Sequence, residues 1–144
     1  MELANFLEEK VKKLINLRMN KGITPVELMS NIYNEDYIEI KSKRQFDQVF
    51  CYVSFYDSDF FSDNKVKIEY KYTYDNENCL QQISSIKNKN EQIIWSRAEE
   101  ENILLSQITT TLLKYENKEV INKFIKTLPN DLQEKICNLT VKVS

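Results

Sequence analysis

The sequence predicts an α+β fold: an N-terminal helical hairpin, an antiparallel sheet of three to five strands, and C-terminal helices packed on one face of that sheet. Two observations predict this class. Apolar residues recur every three or four positions near both ends of the chain, whereas apolar and polar residues alternate in the middle. No repeat or low-complexity run interrupts these patterns, and a length of 144 residues suits one domain. We therefore expect a single domain over residues 1–144.

The first two predicted helices are separated by the one glycine of the chain. Residues 3–20 carry apolar side chains spaced for one helical face, and Gly22 stands just beyond the last turn, where a left-handed residue ends a helix. Thr24 and Glu27 then form a capping box, which starts a second helix that runs to about Tyr33. We expect these two helices to pair as a hairpin.

The middle of the chain predicts the sheet. Residues 65–74 alternate cleanly, so their apolar and aromatic side chains are expected on one face and their lysines on the other. Residues 49–56 are apolar on both faces, which predicts a strand buried between two layers and paired with 65–74. Residues 37–41, 79–87 and 91–95 are the remaining predicted strands, although the apolar spacing in 79–87 also fits a helix.

Three further helices are predicted after the sheet. Ser96 and Glu99 form a second capping box at the start of a long helix, whose apolar stripe at 103–115 is wide. Residues 117–128 and 129–138 have the spacing of two more helices. The stripe at 103–115 exceeds what one sheet face covers, so a homodimer formed through it is one alternative for the assembly.

The composition excludes several classes of catalytic and cofactor site. The chain has one glycine and no histidine. One glycine cannot supply the glycine-rich loops that hold dinucleotides or nucleotide phosphates. Without histidine there is no Ser-His-Asp or Cys-His pair and no histidine metal ligand. The three cysteines (Cys51, Cys79 and Cys137) are scattered and odd in number, so we expect free thiols, no metal and no cofactor.

Charge and hydropathy predict the surroundings of the protein. The net charge of −2 gives no general attraction to nucleic acid or to an anionic membrane. Residues 2–13 are charged and amphipathic, unlike a secretory signal, and no apolar run approaches the ~18 residues of a membrane span. Because free thiols persist in a reducing compartment, we expect a cytoplasmic protein with no membrane partner.

An acidic loop with two adjacent phenylalanines is the first candidate site. Asp57, Asp59, Phe60, Phe61 and Asp63 lie within seven residues between two predicted strands. Aromatic side chains supply desolvated contact area at protein interfaces, and aspartates steer a basic partner toward them. The alternative is that one or both phenylalanines fold back over the sheet as part of the core.

A second candidate site is an acidic set on the alternating strand and just before it. Asp57 and Asp59 precede Glu69-Tyr70-Lys71, and this arrangement resembles the PD-(D/E)xK nucleases over some fifteen residues. The resemblance implies that Asp57 or Asp59 and Glu69 hold a divalent metal while Lys71 polarises the reacting groups. No Pro-Asp pair precedes the strand here. A solvated strand face with paired charges explains the same residues without catalysis.

Lysines on the predicted strands form the third candidate site. With interleaved tyrosines, a basic sheet face can stack bases and bind the phosphates of single-stranded nucleic acid. On 65–74, however, alternation puts the tyrosines opposite the lysines, which favours an aromatic core with solvated lysines. The basic cluster comprises Lys41, Lys43, Arg44, Lys65, Lys67, Lys71, Lys87 and Lys89.

Residues 17–29 resemble the first two helices of phage-repressor-type helix-turn-helix domains. The segment contains Leu-Arg, then Lys-Gly-Ile-Thr, then Glu-Leu, as that pattern requires. A DNA-binding motif needs a recognition helix next, whereas residues 34–40 predict a turn and a strand. We interpret the segment as a helical hairpin with similar caps.

These observations together predict a non-enzymatic cytoplasmic protein that acts by binding another protein with a basic surface, as a regulator, inhibitor or accessory subunit. The alternative is a nucleic-acid-binding domain, in one form a metal-dependent nuclease of the PD-(D/E)xK type.

Overall fold

The computed structural model describes residues 2–58, 65–115 and 117–143. This part of the chain forms five α-helices, a short 3-10 helix after the second α-helix, and five strands. The helices are α1 Glu2–Met19, α2 Pro25–Ser30, the 3-10 helix Asn31–Tyr33, α3 Arg97–Leu112, α4 Lys118–Lys126 and α5 Asn130–Val143. The strands are β1 Tyr37–Gln45, β2 Gln48–Ser58, β3 Lys65–Tyr74, β4 Leu80–Lys87 and β5 Asn90–Ser96. The predicted α+β class is confirmed.

The five strands form one antiparallel sheet in the order β1-β2-β3-β4-β5. Strands β2 and β3 pair from Val49 opposite Tyr74 to Ser58 opposite Lys65 without a shift in register. The pairing predicted for these two strands is therefore confirmed. Residues 80–87, whose apolar spacing also fitted a helix, form β4 between β3 and β5.

The register defines two faces of the sheet, because residues directly opposite each other on antiparallel strands point to the same side. The inner face contains Val49, Cys51, Val53 and Phe55 of β2 and the even-numbered residues of β3. The outer face contains Lys41, Lys43, Phe50, Tyr52, Tyr56, Lys67, Glu69 and Lys71.

The chain divides into two compact units, of which the sheet unit spans Asn20–Ala98. Its core lies on the inner face, where Leu28 of α2 is buried together with Cys51, Val53, Tyr74 and Leu80. Cys51 and Tyr74 have no exposed surface. Helix α2 thus buries Leu28 against the sheet, whereas its Val26 and Met29 are exposed.

The helical unit comprises Met1–Met19 and Glu99–Ser144. In its core, Leu14 of α1 is buried with Ile108 of α3 and with Leu132 and Ile136 of α5. Helix α1 buries Leu14 among the C-terminal helices, whereas α2 buries Leu28 on the sheet, so the two helices of the expected hairpin contribute to different cores. Although only a short segment connects α1 and α2, each helix has its buried residues in the core of a different unit.

The apolar stripe at 103–115 is divided between core and surface. Ile108 and Leu112 are buried in the helical unit, whereas Ile103 and Leu113 are exposed. The stripe is thus largely used within the helical unit, and a homodimer through its remainder stays a prediction. Single-domain organisation and helix packing on one face of the sheet also stay predictions.

The large side chains of β2 are buried on the inner face only, which corrects the expectation of two covering layers, although the small side chain of Ser54 is buried on the outer face. Cys51 and Val53 on the inner face are buried, but Tyr56 on the outer face is 42% exposed and Phe50 and Tyr52 are half-buried. Lysine side chains lie over the last two rings, so long charged residues replace a second apolar layer. In the described part of the chain, no helix combines the length and apolar character needed to cross a membrane.

Candidate functional site

The acidic loop begins where β2 ends. Asp57 lies opposite Val66 in the register, on the inner face, and its side chain is exposed. Asp59, Phe60, Phe61 and Asp63 lie outside the described residues, so their role in binding stays a prediction.

An aromatic cluster lies on the inner face beside Asp57. The rings of Tyr37 and Phe55 are 5.4 Å apart between centroids, and Phe55 is equally far from Tyr70. All three side chains are half-buried although they belong to three neighbouring strands. We call Tyr37, Phe55, Val66, Ile68 and Tyr70 the aromatic patch. Offset or tilted rings at this separation attract one another and form a rigid surface.

The start of β1 places the aromatic patch against the end of β2. The Tyr37 N–H donates to the Asn34 carbonyl over 3.0 Å, and the Tyr56 N–H donates to the Asp36 carbonyl over 2.8 Å. These backbone bonds hold the turn after the 3-10 helix beside Asp57. The patch therefore has a fixed backbone frame on this side.

A cavity of about 230 Å³ opens beside the aromatic patch. Val66, Ile68 and Tyr70 form its apolar wall, and Lys67 and Lys87 also line it. Its volume is just below the usual range of small-molecule pockets, which begins at about 300 Å³. It is large enough for one inserted side chain.

Tyr72 of the inner face is polar but uncharged at neutral pH. Burial raises the pKa of Tyr72, and the neighbouring hydroxyls of Tyr37 and Tyr70 raise it further. A raised phenol pKa keeps the proton on the oxygen well above pH 7. The Tyr72 side chain therefore offers hydrogen bonds and ring surface, not charge.

The structure does not bring the resembled nuclease residues together. Glu69 lies opposite Ser54 on the outer face, whereas Asp57 lies on the inner face. Lys71 pairs with Glu91 at 3.6 Å and lies over the Phe50 ring. Among the described residues there is no cluster of three potential metal ligands. Asp57 and Glu69 cannot reach one metal ion, because the sheet separates their carboxylates, and Asp59 lies outside the described residues.

The segment that resembles a helix-turn-helix continues differently from a DNA-binding motif. Helix α2 is followed by the 3-10 helix Asn31–Tyr33 and then by β1. The described residues 31–45, which follow α2 directly, therefore contain no recognition helix. The N-cap predicted at Thr24 is confirmed, since the Glu27 N–H donates to Thr24 Oγ1 over 3.2 Å, and the Thr24 hydroxyl donates to Glu27 Oε1 over 3.1 Å.

The predicted basic cluster does not form one surface. Lys41, Lys43, Lys67 and Lys71 share the outer face, but Arg44 lies opposite Val49 on the inner face. Lys87 and Lys89 lie at the turn between β4 and β5, and Lys65 begins β3.

The outer face contains aromatic rings that the alternation of β3 did not predict. Lys41 Nζ is 5.6 Å from the centroid of Tyr52, and Lys71 Nζ is 4.8 Å from that of Phe50. These rings come from β2, whose odd residues fill the inner face. The sequence feature that indicates rings on the outer face is the run of apolar residues on both faces of β2, which also fits a strand buried between two layers.

The cysteines differ in their surroundings. Cys51 is buried, with its sulfur 3.1 Å from Ser42 Oγ, and burial raises the pKa of its thiol. A raised pKa disfavours the nucleophilic thiolate. Cys79 is half-buried and Cys137 is exposed, and neither forms a disulfide bond within the described part of the chain.

Comparison of the chain with protein-family models, curated proteins and solved structures finds no match.

Proposed function

We propose that this chain is a non-enzymatic cytoplasmic protein that binds another protein through the aromatic patch and the acidic loop beside it. The observation that supports this most directly is the contact of the half-buried Tyr37, Phe55 and Tyr70 on the face where Asp57 lies near the end of β2. A regulator, an inhibitor and an accessory subunit all work in this way.

The energetics of interfaces favour this surface. Aromatic side chains dominate binding energy where they are rigid and lose water on contact. Ring contacts and strand pairing fix Tyr37 and Phe55 before binding, so little conformational entropy is lost when a partner docks. Val66 is 46% exposed within the same patch and adds apolar area.

The charges around the aromatic patch indicate the chemistry of the partner. Asp57 is exposed at one side, and the acidic loop adds Asp59 and Asp63 from the sequence. We expect basic side chains of the partner opposite these carboxylates and an apolar side chain in the cavity beside Val66. Complementary charges at the rim of an interface mainly raise the association rate.

The lack of disulfide bonds among the described residues is consistent with the proposed cytoplasmic location. Exposed Cys137 and half-buried Cys79 are unbridged, as proteins of reducing compartments usually keep their cysteines.

Affinity capture from the native cell, followed by titration of the purified partner, tests the proposal. Val66→Asp puts a charge into the aromatic patch, and Phe60→Ser with Phe61→Ser removes the predicted loop anchors. Either change is expected to weaken partner binding tenfold or more while the melting temperature stays within a few degrees. The matched control is Val26→Asp, because Val26 is 80% exposed on α2 and outside the patch.

Two results would contradict the proposal. If Val66→Asp and Val26→Asp bind the partner equally well, the aromatic patch is not part of the interface. A large fall in melting temperature for the double serine variant would mean that Phe60 and Phe61 belong to the core.

A further inference from the structure

We propose that the outer face near the β1–β2 turn binds single-stranded nucleic acid. This site goes beyond the proposed protein partner, because it lies on the face of the sheet opposite the aromatic patch. We call its residues the basic–aromatic surface, which comprises Lys41, Lys43, Phe46, Phe50, Tyr52 and Lys71.

The register brings lysines and rings into adjacent rows. Lys41 lies opposite Tyr52, which lies opposite Lys71, and in the next row Lys43 lies opposite Phe50. Neighbouring strands are ~4.8 Å apart, so these rows alternate positive charge and ring at the scale of one nucleotide. Single-strand binding proteins combine these two elements: cations that follow the phosphates and rings on which bases stack.

The rings on this surface become accessible when the lysines that cover them turn toward a phosphate. Lys41 lies over Tyr52 and Lys71 over Phe50 in the free protein, and both rings are only half-buried. A cation–π contact at a site that water still reaches is a weak interaction. A phosphate can therefore draw the ammonium groups away and leave the ring faces to the bases.

Phe46 extends the surface at the turn between β1 and β2. Its side chain is 88% exposed, although large apolar side chains usually find cover. Its backbone has φ 56°, a left-handed conformation that costs a non-glycine residue free energy. Asparagine adopts this conformation more readily, so neither folding nor the turn itself explains a phenylalanine here. A ring held in water at the edge of a lysine-bearing face fits a stacking role.

Acidic residues limit the strength of this surface. Glu69 lines a cavity of about 350 Å³ with Lys41, Lys43 and Tyr52, and Glu91 pairs with Lys71 at 3.6 Å. Asp47 follows Phe46 in the turn. Because these carboxylates offset part of the positive charge, we expect modest affinity with a marked dependence on salt. Unpaired bases are required, since stacked base pairs keep their faces away from flat protein surfaces.

Fluorescence anisotropy with labelled oligothymidylate and oligouridylate of fifteen nucleotides tests the proposal at low and moderate salt. We expect micromolar binding at low salt, with weaker binding to a duplex of equal length. Phe46→Asn keeps a residue suited to the turn while it removes the ring, so it should bind at least about five-fold more weakly without loss of melting temperature. Lys41→Gln with Lys43→Gln should lower the salt slope by about 1.4, at ~0.7 per phosphate contact.

The matched control is Lys114→Gln with Lys118→Gln, which removes equal charge from exposed positions in the helical unit. This variant should bind like the wild-type chain. The proposal is overturned if neither oligonucleotide binds at low salt, if Phe46→Asn binds as tightly as the wild type, or if both lysine pairs weaken binding equally. Binding to the duplex as tight as to the single strands would also overturn it.

Discussion

At the residue scale, the one glycine of the chain occupies a position that only glycine fits. Gly22 has φ +82°, and its N–H donates to Asn20 Oδ1 over 2.9 Å. A Cβ added there would lie 2.9 Å from the Cβ of Leu80, which is buried in the core of the sheet unit. The adjacent Lys21 carbonyl accepts a 2.7 Å hydrogen bond from the Leu80 N–H, so the two chain segments cannot easily separate.

Gly22→Ala should therefore destabilise the protein by about 2 kcal/mol or more, because a left-handed alanine and a crowded core add their costs. Urea unfolding measures the change. Asn88→Gly is the matched control, since Asn88 also has a positive φ (52°) and glycine adopts it freely. Equal unfolding midpoints for Gly22→Ala and the wild type would show that the contact with Leu80 relaxes at no cost.

The other left-handed turn residues were only partly predictable from the sequence. Asn78 and Asn88 have positive φ angles, as expected where asparagine replaces glycine in turns. Phe46 and Lys89 also have positive φ, and no local rule favours either residue there. Their conformations follow from the strand register on each side of the turn, which propensity does not encode.

At the element scale, the sequence predicted each of the five described strands. It did not predict which side chains of β2 would lie beside those of β1 and β3. The alternation in β3 correctly put its tyrosines on one face and its lysines on the other. It could not show that Phe50 and Tyr52 of β2 would join the lysines, because that depends on register. The aromatic patch was missed for the same reason: Tyr37, Phe55 and Tyr70 are distant in sequence and meet only in the sheet.

The start of α2 could be predicted from the local sequence alone. Thr24 Oγ1 accepts from the Glu27 N–H over 3.2 Å and lies 3.1 Å from Glu27 Oε1. Thr24→Ala should cost about 1 kcal/mol of stability, because one helix N–H loses its partner. Thermal unfolding should show a lower midpoint for Thr24→Ala and a nearly unchanged one for Thr24→Ser, which keeps the hydroxyl. A lowered midpoint for both variants would assign the loss to the threonine methyl group instead.

At the scale of the whole chain, the helical unit joins segments from both ends of the sequence. Arg18 of α1 donates to Glu101 of α3 over 3.0 Å and also to Asp131 of α5. Lys135 of α5 donates to the same Glu101 over 2.9 Å. This network links three helices, and Arg18 is 83 residues from Glu101 and 113 residues from Asp131 along the chain. Such distant charge pairs have no signature in a single sequence.

The network predicts how stability depends on pH. Burial acts to raise the pKa of Glu101, but hydrogen bonds and charges from Lys135 and Arg18 outweigh it and hold that pKa below its usual value. A hydrogen bond from Arg18 holds the pKa of Asp131 low as well. Carboxylates with depressed pKa values stabilise the fold above their unfolded pKa of ~4 and lose this effect as pH falls through the lower folded values.

The free energy of unfolding should therefore change little from pH 7 to about pH 5 and fall below about pH 4.5. Glu101→Gln should be less stable at pH 7 and should lose less stability on acidification, because its amide does not titrate. Urea unfolding at a series of pH values measures both effects. Glu100→Gln, at an exposed neighbouring position, is the matched control and should keep the wild-type pH dependence. If Glu101→Gln kept the full acid-induced loss, the network would not be its source, and other carboxylates would have to account for it.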